Sequence, residues 1–203
     1  MAERLVLVDY GAGNLRSVEN ALRAAGAGEV AVSADPAAVA GADRIVLPGV
    51  GAFAACMNGL TAIPGMVDAL REAAIARARP FLGICVGMQL MADLGVEHGD
   101  HPGLGWIPGR VERIEPADPA VKVPHMGWND VVPKRAHPLI EPGEAYFLHS
   151  YGFDGDDVIA ATDHGGVVTA AIGRDNMLGV QFHPEKSQRY GLELLRRFLS
   201  WQP

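Results

Sequence analysis

The sequence contains few cysteines, and this scarcity excludes several kinds of chemistry. Only two, Cys56 and Cys85, occur among 203 residues, and they do not form a Cys-x-x-Cys motif. Thioredoxin-type redox chemistry and cysteine-rich zinc sites depend on such motifs, so we expect no metal site. A disulfide between the two cysteines is compatible with the sequence, but nothing in the sequence favours it.

Nucleotide-binding motifs are also missing from the sequence. The glycines at positions 11 and 13 lack the third glycine of a dinucleotide loop, because Arg16 stands in its place. No G-x-x-x-x-G-K-[ST] phosphate loop occurs either. We therefore expect the protein not to bind a nucleotide.

Long hydrophobic runs and an excess of positive charge are absent as well. No stretch approaches the roughly 20 apolar residues that span a bilayer, and the apolar run at residues 5–8 is too short for a signal peptide. With 17 Lys and Arg against 24 Asp and Glu, the formal net charge is −7, and no basic stripe is visible. The sequence therefore predicts a cytoplasmic protein that binds neither membrane nor nucleic acid.

Apolar residues are plentiful, and in the first half of the chain two patterns alternate. Hydrophobic residues make up 49% of the sequence, which is typical of a folded globular protein. Runs typical of buried strands occur at residues 5–9, 29–33, 44–47 and 80–84. Patterns typical of helices occur between and after them, at residues 14–26, 66–79 and 85–94. This alternation predicts a parallel sheet covered on both faces.

The second half is richer in strand patterns separated by turn residues. The strand candidates lie at residues 105–115, 121–132, 145–151, 158–162, 167–172 and 177–182, and a closing helix follows at 187–201. The predicted fold is α/β: a three-layer open mixed, mostly parallel sheet with helices on both faces and an antiparallel extension in the second half. Because no linker or repeat is visible, we expect residues 1–203 to form a single domain.

The most informative segment is the pattern Gly83-x-Cys85-x-Gly87, which lies between a predicted strand and a predicted helix. In a nucleophile elbow, small residues two positions before and after the nucleophile allow a sharp strand-to-helix turn to close. The turn presents the thiol at a helix N-terminus, where the Val86 N–H can stabilise an oxyanion. An isolated cysteine is more often a small core residue, but the flanking glycines favour a nucleophile.

A cysteine nucleophile needs a base, and His183 is the strongest candidate among 7 histidines. It follows an apolar strand, at the end where open α/β sheets place their sites. Glu185, two residues further on, can orient the imidazole, although a helix-capping role explains it equally well. Together with Cys85, these residues predict a catalytic triad. His125 and His149 stay open as core or pocket residues.

A glycine-containing loop at residues 48–51 follows another buried strand. Its glycines permit backbone N–H groups to point into a site. This suits the second half of an oxyanion hole, formed by Val50 and Gly51. A plain strand–helix turn explains the segment equally well.

Together, these motifs resemble a known family. The segment at residues 83–89, with the distant His183-x-Glu185, resembles the class I, triad-type glutamine amidotransferases. Within that group, residues 9–18, 124–129, 146–151 and 183–187 are similar to the glutaminase subunits of imidazole glycerol phosphate synthase, in the expected order. One departure is Val86, where these subunits usually carry leucine. Because the oxyanion donor is a backbone N–H, the departure puts little in doubt.

The resemblance implies an ammonia-donating glutaminase. Glutamine would be hydrolysed to glutamate and ammonia through a thioester on Cys85, without a cofactor. The ammonia would pass to a separate cyclase subunit, a (β/α)8 barrel, which forms imidazole glycerol phosphate for histidine biosynthesis and aminoimidazole carboxamide ribonucleotide. A cysteine peptidase or deglycase on a related fold, and a non-catalytic subunit that keeps the fold, are the alternatives.

The resemblance also implies roles for further residues. Those implied to hold the substrate are Gly49, Gln89, Glu97, Ser150 and Tyr151. Those implied to lie near the interface with the cyclase subunit are Asn14, Trp128, Tyr146 and Lys186. The resemblance further implies that the isolated chain is nearly inactive until a substrate-loaded cyclase docks, with the 48–51 loop as the switch.

Overall fold

The computed structural model describes residues 3–203, and its first half alternates strands with helices. The strands are β1 (Leu5–Val8), β2 (Val30–Ser33), β3 (Arg44–Gly49) and β4 (Phe81–Cys85). The helices are α1 (Leu15–Ala24), α2 (Pro36–Ala40), α3 (Phe53–Ala62), α4 (Met66–Arg71) and α5 (Val86–Gln89). A π-helical turn at Glu72–Ala76 continues α4.

The second half consists mainly of strands. They are β5 (Ala92–Gly95), β6 (His101–Pro102), β7 (Ile107–Arg113), β8 (His125–Pro133), β9 (Gly143–His149), β10 (Tyr151–Gly155), β11 (Val158–Asp163), β12 (Val167–Arg174) and β13 (Met177–Val180). A 3₁₀ turn at Pro184–Lys186 leads into the closing helix, α6 (Gln188–Ser200).

Nine strands form one large mixed sheet in the order β2-β1-β3-β4-β13-β12-β11-β8-β9. The four ladders from β2 to β13 are parallel, and the four from β13 to β9 are antiparallel. This confirms the predicted α/β class with its antiparallel extension. The remaining strands form a separate four-stranded sheet in the order β10-β7-β5-β6, which the sequence did not predict.

The central strands are apolar along their whole length because both faces of the sheet are covered. Every residue of β1, β3, β4 and β13 is buried, as expected for parallel strands between two layers. Helix α1 contributes Val18, Ala21 and Leu22 to the core, and α6 contributes Leu194, Leu195 and Phe198. The sheet core thus fixes the ends of the central strands.

Two local predictions need correction. The helix expected at residues 85–94 ends at Gln89, because the chain then turns into β5 and pairs with β7 of the second sheet. The strand expected at residues 145–151 is divided: β9 belongs to the large sheet and β10 to the small one. In both places, pairing with distant segments outweighs the local pattern.

Helices α2 and α3 were not predicted. For α2 a local signal exists, because Asp35 accepts a hydrogen bond from the Ala37 N–H at 2.9 Å and Pro36 occupies the first turn. Among residues 3–203 no single helix is long and apolar enough to cross a membrane. Helix α3 and helix α4 with its π-helical turn, Met66–Ala76, reach that length and composition only as a pair, across a bend of 98°.

Candidate active site

The sheet order places three of the predicted site segments side by side. Strands β3, β4 and β13 are neighbours, and all three run parallel. The 48–51 loop includes the end of β3, Cys85 ends β4, and His183 follows β13 by three residues. Gly49 is the register partner of Cys85 across the ladder. The carboxyl ends of adjacent parallel strands therefore gather segments that lie far apart in sequence.

Cys85 occupies the sharp turn that its flanking glycines predicted. Its φ of +54° and ψ of −111° lie outside the regions that most residues adopt, and α5 begins at the next residue. A Cβ on Gly83 would lie 2.7 Å from the Gly87 carbonyl oxygen, and a Cβ on Gly87 would overlap the Leu47 carbonyl oxygen. Glycine is thus required on both sides of the turn because backbone atoms meet there.

His183 is held by its neighbours on both the ring and the backbone. Its Nδ1 lies 2.8 Å from Oε1 of Glu185, and the two side chains are only 3% and 2% exposed. Its N–H donates to the Tyr146 carbonyl at 2.9 Å, and its own carbonyl accepts from the Ser187 hydroxyl at 2.7 Å. The ring and Cys85 line the same cavity. The structure therefore brings the three predicted triad residues together.

The surroundings of His183 favour its charged form. Burial alone lowers the pKa of the imidazole, but its interactions with Cys85 and Glu185 outweigh this and raise the pKa from 6.5 to about 9. At neutral pH the ring is an imidazolium. It can therefore release a proton to a leaving group.

A cavity of about 210 Å³ opens beside Cys85. This is smaller than the roughly 300–1,000 Å³ of pockets for drug-sized ligands, as suits one amino acid. Its lining comprises Val50, Gly51, Cys85, Val86, Gln89, Glu97, Leu148, His149, Ser150, Tyr151, His183 and Lys186. Gly49 lies outside this lining: a Cβ there would be 2.6 Å from the Gly87 nitrogen and 2.8 Å from the Val86 Cβ. Its backbone packs on the turn that carries Cys85.

The orientation of the Gln89 amide follows from its hydrogen bonds. Its Nε2 donates both hydrogens, to the Tyr151 carbonyl at 2.9 Å and to Oε1 of Gln181 at 3.0 Å. The Gln89 oxygen is thereby left as an acceptor. Gln181, which the sequence analysis missed, is fully buried and donates to the Cys85 sulfur at 3.7 Å. The available signal was an amide side chain in the otherwise apolar strand predicted at residues 177–182, two residues before His183.

Two histidines behind the cavity form a neutral pair. Because a carbonyl can only accept, Nδ1 of His149 donates to the Tyr151 carbonyl at 2.9 Å, and Nε2 accepts from Nδ1 of His125 at 3.1 Å. The amide of Asn129 then donates to Nε2 of His125 at 3.0 Å. Burial and nearby histidines lower the pKa of His125 to about 3, and burial lowers that of His149 to about 4. His149 is thus both a buried and a pocket residue.

Glu97 has a structural partner as well as a place in the cavity lining. Its Oε2 accepts a hydrogen bond from the Phe53 N–H at 2.9 Å, at the first residue of α3. A carboxylate at a helix N-terminus is favourable because free N–H groups meet there. This contact ties the helix that follows the 48–51 loop to the cavity wall.

An exposed apolar strip borders the cavity on β8 and β9. Met126 pairs with Leu148 and Trp128 with Tyr146 across the ladder, so these four side chains share one face. Met126 is 65% exposed and Trp128 is 48% exposed. The Trp128 and Tyr146 rings meet edge to face at 6.2 Å, and Nζ of Lys186 lies 5.9 Å from the centroid of the Tyr146 ring.

Asn14, the fourth residue assigned to the interface, precedes α1 and is exposed. Helix α1 packs against the turn at Pro184–Lys186, which carries Lys186. The four predicted interface residues therefore lie on elements next to the cavity. Both cysteines are free thiols, so the disulfide that the sequence left open is not formed in this structure.

Comparison with known proteins identifies the family. The family model for glutamine amidotransferase class-I matches residues 6–201. The imidazole glycerol phosphate synthase subunit HisH of Zymomonas mobilis is 62% identical over 98% of this chain and 96% of its own length. The protein of the same name from Rhodospirillum rubrum is 58% identical over 98% of this chain and 100% of its own.

Solved structures agree on the fold. A crystal structure described as a glutamine amidotransferase has a TM-score of 0.73 and 20% identity, covering 96% of this chain and 97% of its own. The structure of PurLQS from Thermotoga maritima has a TM-score of 0.73 and 19% identity, covering 98% and 99%. From the family model and the high identity to its relatives, the chain belongs to the class I glutamine amidotransferase family, among the HisH subunits of imidazole glycerol phosphate synthase.

Proposed function

We propose that this chain hydrolyses glutamine to glutamate and ammonia and supplies the ammonia to the cyclase subunit of imidazole glycerol phosphate synthase, in histidine biosynthesis. The observation that carries the proposal is that Cys85 and His183, the latter bound to Glu185, line one amino-acid-sized cavity. The family of the chain supplies the reaction class, and these contacts supply the residues.

The reaction begins when the Cys85 sulfur attacks the side-chain carbonyl carbon of glutamine. A carbon–sulfur bond forms, and the carbonyl electron pair moves to oxygen. The Val86 N–H and an N–H of the 48–51 loop, from Val50 or Gly51, stabilise that oxyanion. Removing one such donor typically costs about 3 kcal/mol of transition-state stabilisation.

His183 then acts first as a general acid and afterwards as a general base. As an imidazolium it gives its proton to the amide nitrogen. The carbon–nitrogen bond breaks, ammonia departs, and the acyl group remains on Cys85 as a thioester. The neutral ring next takes a proton from water, which attacks the thioester and releases glutamate. Glu185 orients the ring through Nδ1 and stabilises its charged form.

The amino-acid end of glutamine is held at the other side of the cavity. The free oxygen of the Gln89 amide and the carboxylate of Glu97 suit the substrate ammonium group. Ser150 and Tyr151, at the turn from β9 to β10, offer polar groups to its carboxylate. Gly49 contributes indirectly, because its lack of a side chain allows the 48–51 loop to pack on the turn that carries Cys85.

The cyclase docks on the apolar strip of β8 and β9, beside Asn14 and Lys186. Ammonia that escapes into water takes up a proton and loses its nucleophilicity, so its delivery needs a closed contact around the cavity. Exposed Met126 and Trp128 offer apolar area at that contact. Within residues 3–203, one buried core includes residues of both sheets, which supports the proposal that residues 1–203 form one functional domain. We propose a cytoplasmic location, in keeping with the biosynthetic role.

A nitrogen-source experiment tests the proposal. The Cys85→Ala variant is mixed with the cyclase subunit and its ribonucleotide substrate, and turnover with glutamine is compared with turnover with ammonium. We expect glutamine-dependent turnover to vanish and ammonium-dependent turnover to persist. Glutamine hydrolysis retained by this variant would contradict the assignment of Cys85, and cleavage of peptides by the wild type would favour a peptidase.

A further inference from the structure

Two buried donors hold the oxyanion loop from behind, and the reaction as described uses neither. The Tyr10 hydroxyl donates to the Pro48 carbonyl at 2.6 Å, and the Cys56 thiol donates to the Val50 carbonyl at 3.4 Å. Tyr10 is 5% exposed and Cys56 is fully buried. Alternate carbonyls of the loop are thus each fixed by a side chain from a different part of the chain, the segment after β1 and helix α3.

Fixing a carbonyl also fixes the next N–H. In a trans peptide the C=O and the following N–H point in opposite directions, and among residues 3–203 the one cis bond is Val123–Pro124. The bond from Cys56 to the Val50 carbonyl therefore turns the Gly51 N–H away from the buried thiol. Gly51 is exposed and lines the cavity beside Cys85.

Tyr10 has little room to move. A Cβ on Gly49 would lie 3.0 Å from its hydroxyl, and a Cβ on Gly59 of α3 would lie 3.0 Å from its ring. The ring is therefore packed between the oxyanion loop and α3. Burial raises the pKa of the Tyr10 hydroxyl and also that of the Cys56 thiol, so both groups keep the hydrogen that they donate.

We propose that Tyr10 and Cys56 are positioning residues of the glutaminase reaction. Their hydroxyl and thiol hold the Pro48 and Val50 carbonyls away from the cavity and so keep the loop in a conformation in which one of its N–H groups, from Val50 or Gly51, can face the oxyanion. This inference rests on the proposed function, and it assigns the orientation of the loop to two named side chains.

The test compares Tyr10→Phe, Cys56→Ala and Cys56→Ser, each in complex with the cyclase subunit and its ribonucleotide substrate. Because the oxyanion exists only in the transition state, loss of either donor should lower kcat for glutamine about tenfold and change KM less than about twofold. Cys56→Ser keeps a donor and should retain most of the wild-type kcat. The double variant Tyr10→Phe/Cys56→Ala should lose less than the product of the single losses, because both donors serve one loop.

Tyr190→Phe is the matched control. The Tyr190 hydroxyl also donates to a backbone carbonyl, that of Glu141, at 2.8 Å, but it lies on α6. We expect its kcat and KM to equal those of the wild type, and ammonium-dependent turnover to be unchanged in every variant.

Two results would overturn the inference. One is wild-type kcat for glutamine in both Tyr10→Phe and Cys56→Ala. The other is an equal fall with glutamine and with ammonium, since damage to folding or docking then explains the loss. Absence of glutamine turnover in the wild-type complex is a different result, and it counts against the proposed function instead.

Discussion

The Nδ1 atom of His183 lies 2.8 Å from Oε1 of Glu185, although a single residue separates them in the chain. That residue is Pro184, the first residue of a 3₁₀ turn. The turn bends the backbone so that the carboxylate lies beside the ring, and both side chains are buried. A buried carboxylate next to an imidazole fixes which ring nitrogen carries the proton. This contact sets the first prediction.

Glu185→Gln should lower the pKa of His183 from about 9 toward its ordinary value of 6.5, because a charge and a charge-assisted hydrogen bond are lost. Glutamine turnover should fall about ten-thousandfold, as expected when a triad loses its acidic member. NMR titration of His183 and glutaminase assays measure the two effects. Glu193→Gln, which removes the half-buried partner of the exposed Arg189 on α6, is the control and should change neither. An unchanged His183 titration in Glu185→Gln would contradict the prediction.

Stability should depend on pH through the neutral histidine pair. The unfolded chain protonates His125 and His149 below about pH 6.5, whereas the folded chain resists until about pH 3 and 4. The unfolded state therefore binds more protons in that window, and acid destabilises the fold by about 1–2 kcal/mol per histidine at pH 5. Urea denaturation at pH 7.5 and pH 5 measures the loss. His125→Asn should flatten the dependence, and His98→Asn, at an exposed turn, should leave it unchanged.

At higher pH, His183 should make the stability of the fold fall as pH rises. Its pKa is raised on folding, so its contribution to stability is complete below pH 6.5 and is lost as pH rises through about 9. Urea denaturation between pH 7 and pH 10 should therefore show declining stability. The decline should be smaller in Cys85→Ala, which lacks one of the partners that raise the pKa. An equal decline in both proteins would show that other groups cause it.

Gly87→Ala should disrupt the turn that carries Cys85. The added methyl group would overlap the Leu47 carbonyl oxygen, which belongs to the fully buried β3. We expect a loss of about 3 kcal/mol or more in the free energy of unfolding, and loss of glutamine turnover. Gly28→Ala is the control, because nothing lies within 4 Å of a Cβ at that position. Thermal denaturation of both variants measures the loss of stability.

Trp128→Ala should weaken binding of the cyclase subunit. The indole is 48% exposed and meets the ring of Tyr146, so truncation removes apolar area from the proposed docking strip. A loss of about 2 kcal/mol, or roughly thirtyfold in Kd, is typical of such an anchor. Calorimetric titration with the cyclase measures it. Val167→Ala removes another exposed apolar side chain, 81% exposed on β12 outside the strip, and should leave Kd unchanged.

The local parts of the candidate site could be predicted from sequence. Gly83, Cys85 and Gly87 lie in one turn, and His183 and Glu185 are separated by one residue. Short sequence patterns therefore suffice to predict these residues. The buried strands of the parallel sheet were visible for the same reason, as uninterrupted apolar runs. Each of these features is decided within a few residues.

The rest depends on contacts between distant segments. Gln181 acts through Gln89 and Cys85, more than ninety positions away, and Tyr10 acts through a carbonyl 38 positions away. The division at Ser150 between two sheets arises because β10 finds its partner in β7. No local pattern at these positions carries information about the partner.

Tyr146 belongs to two environments at once. Its ring lies in the outward-facing strip of the sheet's edge strand, while its carbonyl holds the N–H of His183 and its N–H is bound by the Ser187 hydroxyl. These two bonds use main-chain atoms of Tyr146, so replacing the ring leaves them in place. The outer surface can therefore change in composition, and with it the choice of partner, while the imidazole keeps its support.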